Sequence, residues 1–104
     1  MKPLVRRQRA DEDVAAAVAH YLEDAPDAAV RFIDALEAAY LNIQRQPAGG
    51  SPRYAHELQM SGLRFWLLKK FPYLVFYVER PGSIDIWRVM HSRRDIPAWM
   101  QEAP

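Results

Sequence analysis

Hydrophobic and polar positions alternate along this chain in two distinct rhythms, and the change of rhythm divides it into two parts. Val14, Ala17, Val18, Tyr21 and Leu22 recur at helical spacing, which predicts one apolar helix face. The trio Asp11-Glu12-Asp13 precedes them; acidic groups suit the positive end of a helix, so a first helix is expected from about Asp11 to Asp24. Pro26 fits the first turn of a second helix, where its missing N–H costs nothing, and Asp27 adds negative charge there. Ala29, Phe32, Ile33, Leu36, Tyr40 and Ile43 then form an i, i+3, i+4, i+7 stripe. That helix is expected to stop near Gln46, before Pro47 and Gly49-Gly50. So short a link between two helices requires an antiparallel hairpin.

Beyond Gly50 the period shortens. Residues 51–62 are polar and irregular, a loop with room for a short helical turn. Leu63 to Leu68 reads as a strand, Phe71-Pro72 breaks it, and Tyr73 to Val78 follows. This second run is apolar on both faces, as in a central strand covered from two sides. Pro81-Gly82 marks a turn and Ile84 to His91 a last strand. Short links make these three strands an antiparallel meander. Leu4 and Val5 suggest a further, N-terminal strand, and Ile96 to Glu102 one or two closing helical turns. The expected fold is α+β: an N-terminal strand, then an antiparallel α-hairpin packed on a small antiparallel β-sheet. At 104 residues the chain is expected to form a single domain over 1–104.

Composition narrows the chemistry. The absence of cysteine excludes disulfides and thiolate metal sites. His20, His56 and His91 lack ligand spacing, so no metal and no cofactor are expected. The start, Met1 to Arg7, has no long apolar region, and no run approaches a membrane span. A soluble, cytoplasmic protein with no membrane partner is therefore expected. The net charge of +1 argues against a general nucleic-acid binder, but the charge is uneven. Residues 1–50 carry six basic and eight acidic side chains, whereas residues 51–104 carry eight basic and five acidic. The basic half has the character of a surface for an anionic partner or of a solvated sheet edge.

Three ordered segments resemble a known family. They are Ile43-Gln44-Arg45-Gln46-Pro47 with Gly49-Gly50; Gly62-Leu63-Arg64 with Phe71-Pro72-Tyr73-Leu74-Val75-Phe76-Tyr77; and Ile84-Asp85-Ile86-Trp87-Arg88-Val89-Met90-His91 with Arg94-Asp95. Together they are similar to the ParE-type toxins of the RelE/ParE toxin–antitoxin superfamily. The resemblance implies the RelE/ParE fold and a toxin that inhibits DNA gyrase. It implies neutralisation by a cognate, ParD-like antitoxin, and contact with operator DNA only indirectly through that antitoxin. The alternative it implies is a RelE-like, ribosome-dependent mRNA endoribonuclease.

Ribonuclease chemistry needs a proton acceptor, a proton donor and cations for the phosphate. Arg64, Arg88, His91 and Arg94 are the candidates, with Lys69 and Lys70 nearby. Alternatively, His91 merely ends a strand and hydrogen-bonds the following turn. No tyrosine follows Tyr77, so the C-terminal catalytic tyrosine of RelE-type nucleases is missing, which favours the gyrase reading. No catalytic residue is assigned on that reading; inhibition by binding is expected rather than catalysis. Strict alternation places Arg88 on one strand face with Ile84, Ile86 and Met90, where it needs a carboxylate or a partner. Arg88, His91, Arg93, Arg94 and Trp99 are the expected target contacts, with Asp95 as a possible cap of the closing helix. Tyr21, Phe32 and Tyr40 are expected in the core.

Overall fold

A computed structural model describes residues 1–94 and residue 96. β1 (Leu4–Arg6) leads directly into α1 (Gln8–Asp24) and then α2 (Pro26–Arg45). A 3-10 turn (Pro47–Gly49) and a long loop lead to β2 (Leu63–Leu67), β3 (Tyr73–Glu79) and β4 (Ile84–His91). The closing helical turns expected over residues 96–102 fall, apart from Ile96, outside the described residues.

α1 starts three residues earlier than the acidic trio suggested, because the chain turns helical as soon as β1 ends. The Arg7 carbonyl accepts the Asp11 N–H at 3.1 Å, and only Asp11 of the trio lies in the first turn. Asp13 is thereby carried one turn into the helix, onto the face that meets the sheet. A single residue, Ala25, separates the helices: extended at φ −165°, it caps both, and its N–H returns to the Tyr21 carbonyl at 3.0 Å.

The sheet order is β1-β4-β3-β2. β2, β3 and β4 form the antiparallel meander, while β1 pairs parallel with β4, Leu4 opposite Ile84. The sheet is therefore mixed: the crossover from β1 to β4 runs through both helices, and that long excursion permits a parallel neighbour.

The helices cover one face of the sheet. Phe32, Leu36, Ala39 and Ile43 of α2 meet Val75, Tyr77, Ile84, Ile86 and Val89 there, with Val14, Val18 and Tyr21 of α1 alongside. Phe32 and Tyr21 make edge-on contacts with Phe71 and Tyr73, ring centroids 5.2–6.2 Å apart. Two stripe residues fall outside this core: Leu22 is 52% exposed and Ile33 36%. The other face buries Leu63, Leu74, Phe76, Val78, Met90 and Ile96 under Tyr54, Ala55, Leu58 and Met60 of the long loop. That loop does turn helically, with Leu58 N–H on the Tyr54 carbonyl and Met60 N–H on the Ala55 carbonyl, without becoming a helix. Cover from both sides accounts for the unbroken buried run Leu74–Val78.

A β-bulge interrupts β4. Tyr77 faces Ile86 but Phe76 faces Arg88, so Trp87 is an extra residue. The bulge breaks the alternation assumed from the sequence. Ile84, Ile86 and Val89 lie in the helix-side core, whereas Met90 packs in the opposite one. The expected shared face of Ile84, Ile86, Arg88 and Met90 therefore does not exist.

Candidate functional site

Arg88 is 1% exposed, and its guanidinium lies against α1. Its Nε donates to Asp13 Oδ2 at 2.8 Å and its Nη2 to Asp13 Oδ1 at 2.9 Å. The Val89 N–H donates to the same Oδ2 at 3.0 Å. Asp13 thus joins α1 to the segment just past the bulge by a two-pronged ion pair and a backbone hydrogen bond. The carboxylate that Arg88 required comes from the acidic trio.

The pair forms the inner wall of a cleft of about 620 Å³ between α1 and the end of β4. His20, Tyr73, His91, Arg93 and Arg94 line its remaining sides. On α1, Asp13, Ala17 and His20 succeed one another at i, i+4 and i+7, which puts them on one helix face. His91, at the end of β4, sits opposite Tyr73 and meets its ring edge-on at 5.2 Å. His91 Nδ1 accepts the Arg93 N–H at 3.1 Å, the turn contact anticipated for a strand-ending histidine. That bond requires an unprotonated Nδ1. Consistently, His91 is held below its ordinary pKa by burial first, and then by the positive charges of Arg93 and Arg94 and the nearby His20. Tyr73 is pushed above its ordinary value, chiefly by burial.

Of the sequence-derived candidates, Arg88, His91, Arg93 and Arg94 come together at this cleft. Arg64 does not. It lies on β2, at the far edge of the sheet, where Nη1 donates to the Gly50 carbonyl at 2.7 Å. It there belongs to a loop clamp in which the Tyr77 hydroxyl donates to the Pro47 carbonyl at 2.7 Å and accepts the Gly50 N–H at 3.0 Å. Trp99 and Asp95 lie outside the described residues. Asp13 and His20 are additions that sequence reading missed. Their i, i+7 spacing was visible, but Asp13 had been read as a helix-start charge. Also unanticipated is Asp85, held below the usual carboxylate range chiefly by its hydrogen bonds from Arg7, at 3.0 and 2.7 Å.

Among the described residues no cluster of His, Cys, Asp or Glu could hold a metal ion. Among the described residues, too, no helix is long and apolar enough to cross a membrane.

The family model described as the ParE toxin of the type II toxin–antitoxin system parDE matches residues 4–96. Among solved structures, the fold is similar to a chain of the chromosomal ParDE toxin–antitoxin system from P. aeruginosa, with a TM-score of 0.72 and 21% identity. The match covers 88% of this chain and 96% of that one. A search of curated proteins finds no match. With the family model spanning both helices and all four strands, the chain belongs to the ParE toxin family of type II toxin–antitoxin systems.

Proposed function

We propose that this toxin acts in the cytoplasm by binding and inhibiting DNA gyrase, and that a cognate ParD-like antitoxin neutralises it. The observation that carries the binding reading is the state of Arg88. The cation best placed to hold a reacting phosphate is buried and already engaged by Asp13 on two nitrogens. An arginine so held supports the wall of a cleft. His91, Arg93 and Arg94 line the cleft as the proposed target contacts; Arg88 contributes by positioning. Trp99 joins the proposed contact set on the strength of the family resemblance. The solved ParDE system supports the choice of a ParD-like partner.

The test is a gyrase supercoiling and DNA-cleavage assay with purified toxin, with and without the protein encoded beside it. Inhibition or trapped cleavage, relieved by that neighbour, is expected. Gyrase indifferent to an excess of folded toxin would overturn the proposal and turn attention to mRNA cleavage on ribosomes, with His91→Ala as the informative variant.

A further inference from the structure

One end of the molecule gathers cationic side chains from two turns, with a histidine of α1 facing them across the cleft. The β2–β3 turn contributes Lys69 and Lys70, both exposed. The turn after β4 contributes Arg93 and Arg94, also exposed, beside the half-buried His91. α1 contributes His20, on the cleft's opposite wall. The two turns are stapled together: the Ser92 N–H donates to the Pro72 carbonyl at 2.8 Å, and Tyr73 pairs with His91.

Among the described residues, little negative charge offsets Lys69, Lys70 and Arg93. Among the described residues Lys69, Lys70 and Arg93 make no ion pair. The carboxylate in the cleft, Asp13, is committed to Arg88 and the Val89 N–H. Glu23 and Asp24, in the last turn of α1, do not line the cleft.

We propose that this end of the toxin binds the sugar–phosphate backbone of duplex DNA. Arg93 and Arg94 line the cleft and Lys69 and Lys70 lie on the turn stapled beside it; such side chains suit phosphate oxygens, and their contacts carry no sequence information. A cleft of about 620 Å³ has room for a phosphodiester group. The duplex is favoured over a single strand by the state of the cleft's aromatic ring. Single-strand recognition relies on aromatic faces open to stacking bases, and Tyr73 is already packed against Tyr21, Phe32 and His91. With a net charge of only +1, binding is local and weak, with Kd on the order of 10⁻⁴ to 10⁻⁶ M. The proposal rests on the gyrase reading only for its setting, since gyrase holds duplex DNA where it cleaves it.

The experiment is fluorescence anisotropy of a labelled duplex of about 20 base pairs titrated with free toxin over a range of salt. Three phosphate contacts, from Lys69, Lys70 and Arg93, predict a slope of log K against log salt of about −3. The exposed-site variants Lys69→Gln and Arg93→Gln are each expected to reduce that slope by about 1, and a single strand of the same sequence is expected to bind more weakly. Absence of binding at low salt, an unchanged slope in both variants, or preference for the single strand would overturn the proposal. The gyrase assay separates the two readings. Inhibition of gyrase by a toxin that binds no DNA overturns only this inference; DNA binding with gyrase unaffected overturns only the gyrase reading.

Discussion

Asp13 concentrates more of this fold in one side chain than any other residue near the cleft. Removing it by Asp13→Ala takes from the buried Arg88 guanidinium the carboxylate that two of its nitrogens bond. A one-sided break of a buried pair costs about 3–5 kcal/mol, so urea denaturation is expected to show a loss of that size. Replacing both partners, as Asp13→Leu with Arg88→Met, is expected to recover most of it, because the desolvation cost disappears with the charges. Gly50 is a second sensitive point. A Cβ there would fall on the Tyr77 hydroxyl and 2.9 Å from the Phe65 carbonyl oxygen. Gly50→Ala therefore forces the clamp apart, with an expected cost of about 1–3 kcal/mol in the same denaturation assay. His91 gives a pH signature. Unfolded, it takes up a proton near its ordinary 6.5; folded, only at lower pH. Between those values the unfolded chain binds more protons, so stability falls as pH drops from about 7 through the folded value. His91→Asn is expected to flatten that part of the stability–pH curve, and an NMR titration should place the folded His91 below 6.5.

At the scale of elements, the helices and the meander were legible because their signals are periodic and local. α2 ends within a residue of the expected stop at Gln46, and β4 keeps its expected bounds, Ile84–His91. The misreadings share a cause: each depended on a partner distant in sequence. Asp13 signals a helix start until Arg88, 75 residues away, claims it. Strict alternation holds along β4 until the bulge opposite Phe76 and Tyr77 adds Trp87. Neither the partner nor the bulge leaves a local mark. The bulge also sets the site, since it lets Ile86 and Val89 face the helices while Arg88 reaches Asp13.

For the whole molecule, most of the cleft's composition was legible as a cluster of basic residues near the C-terminal end of β4, and its geometry was not. Arg64, grouped with the others by charge and family pattern, belongs instead to the clamp at the sheet's far edge. α2 leaves Val30, Ile33 and Leu41 exposed, apolar surface that a bound partner can cover. An antitoxin that binds only the folded toxin stabilises it by mass action. The complex is therefore expected to melt above the free toxin by differential scanning calorimetry, and equal melting temperatures would contradict that expectation.

The pairing of β1 with β4 has a consequence in time. Among the described residues β1 pairs in the sheet with β4 alone, and Asp13 has no Arg88 to hold until β4 exists. A ribosome adding about 5–20 residues per second needs roughly 4–15 s to pass from one member of that pair to the other. Throughout that interval the nascent chain carries its helices but no assembled cleft. A chain made only as far as β3 therefore lacks the cleft, and the proposed target surface forms only once β4 has been added.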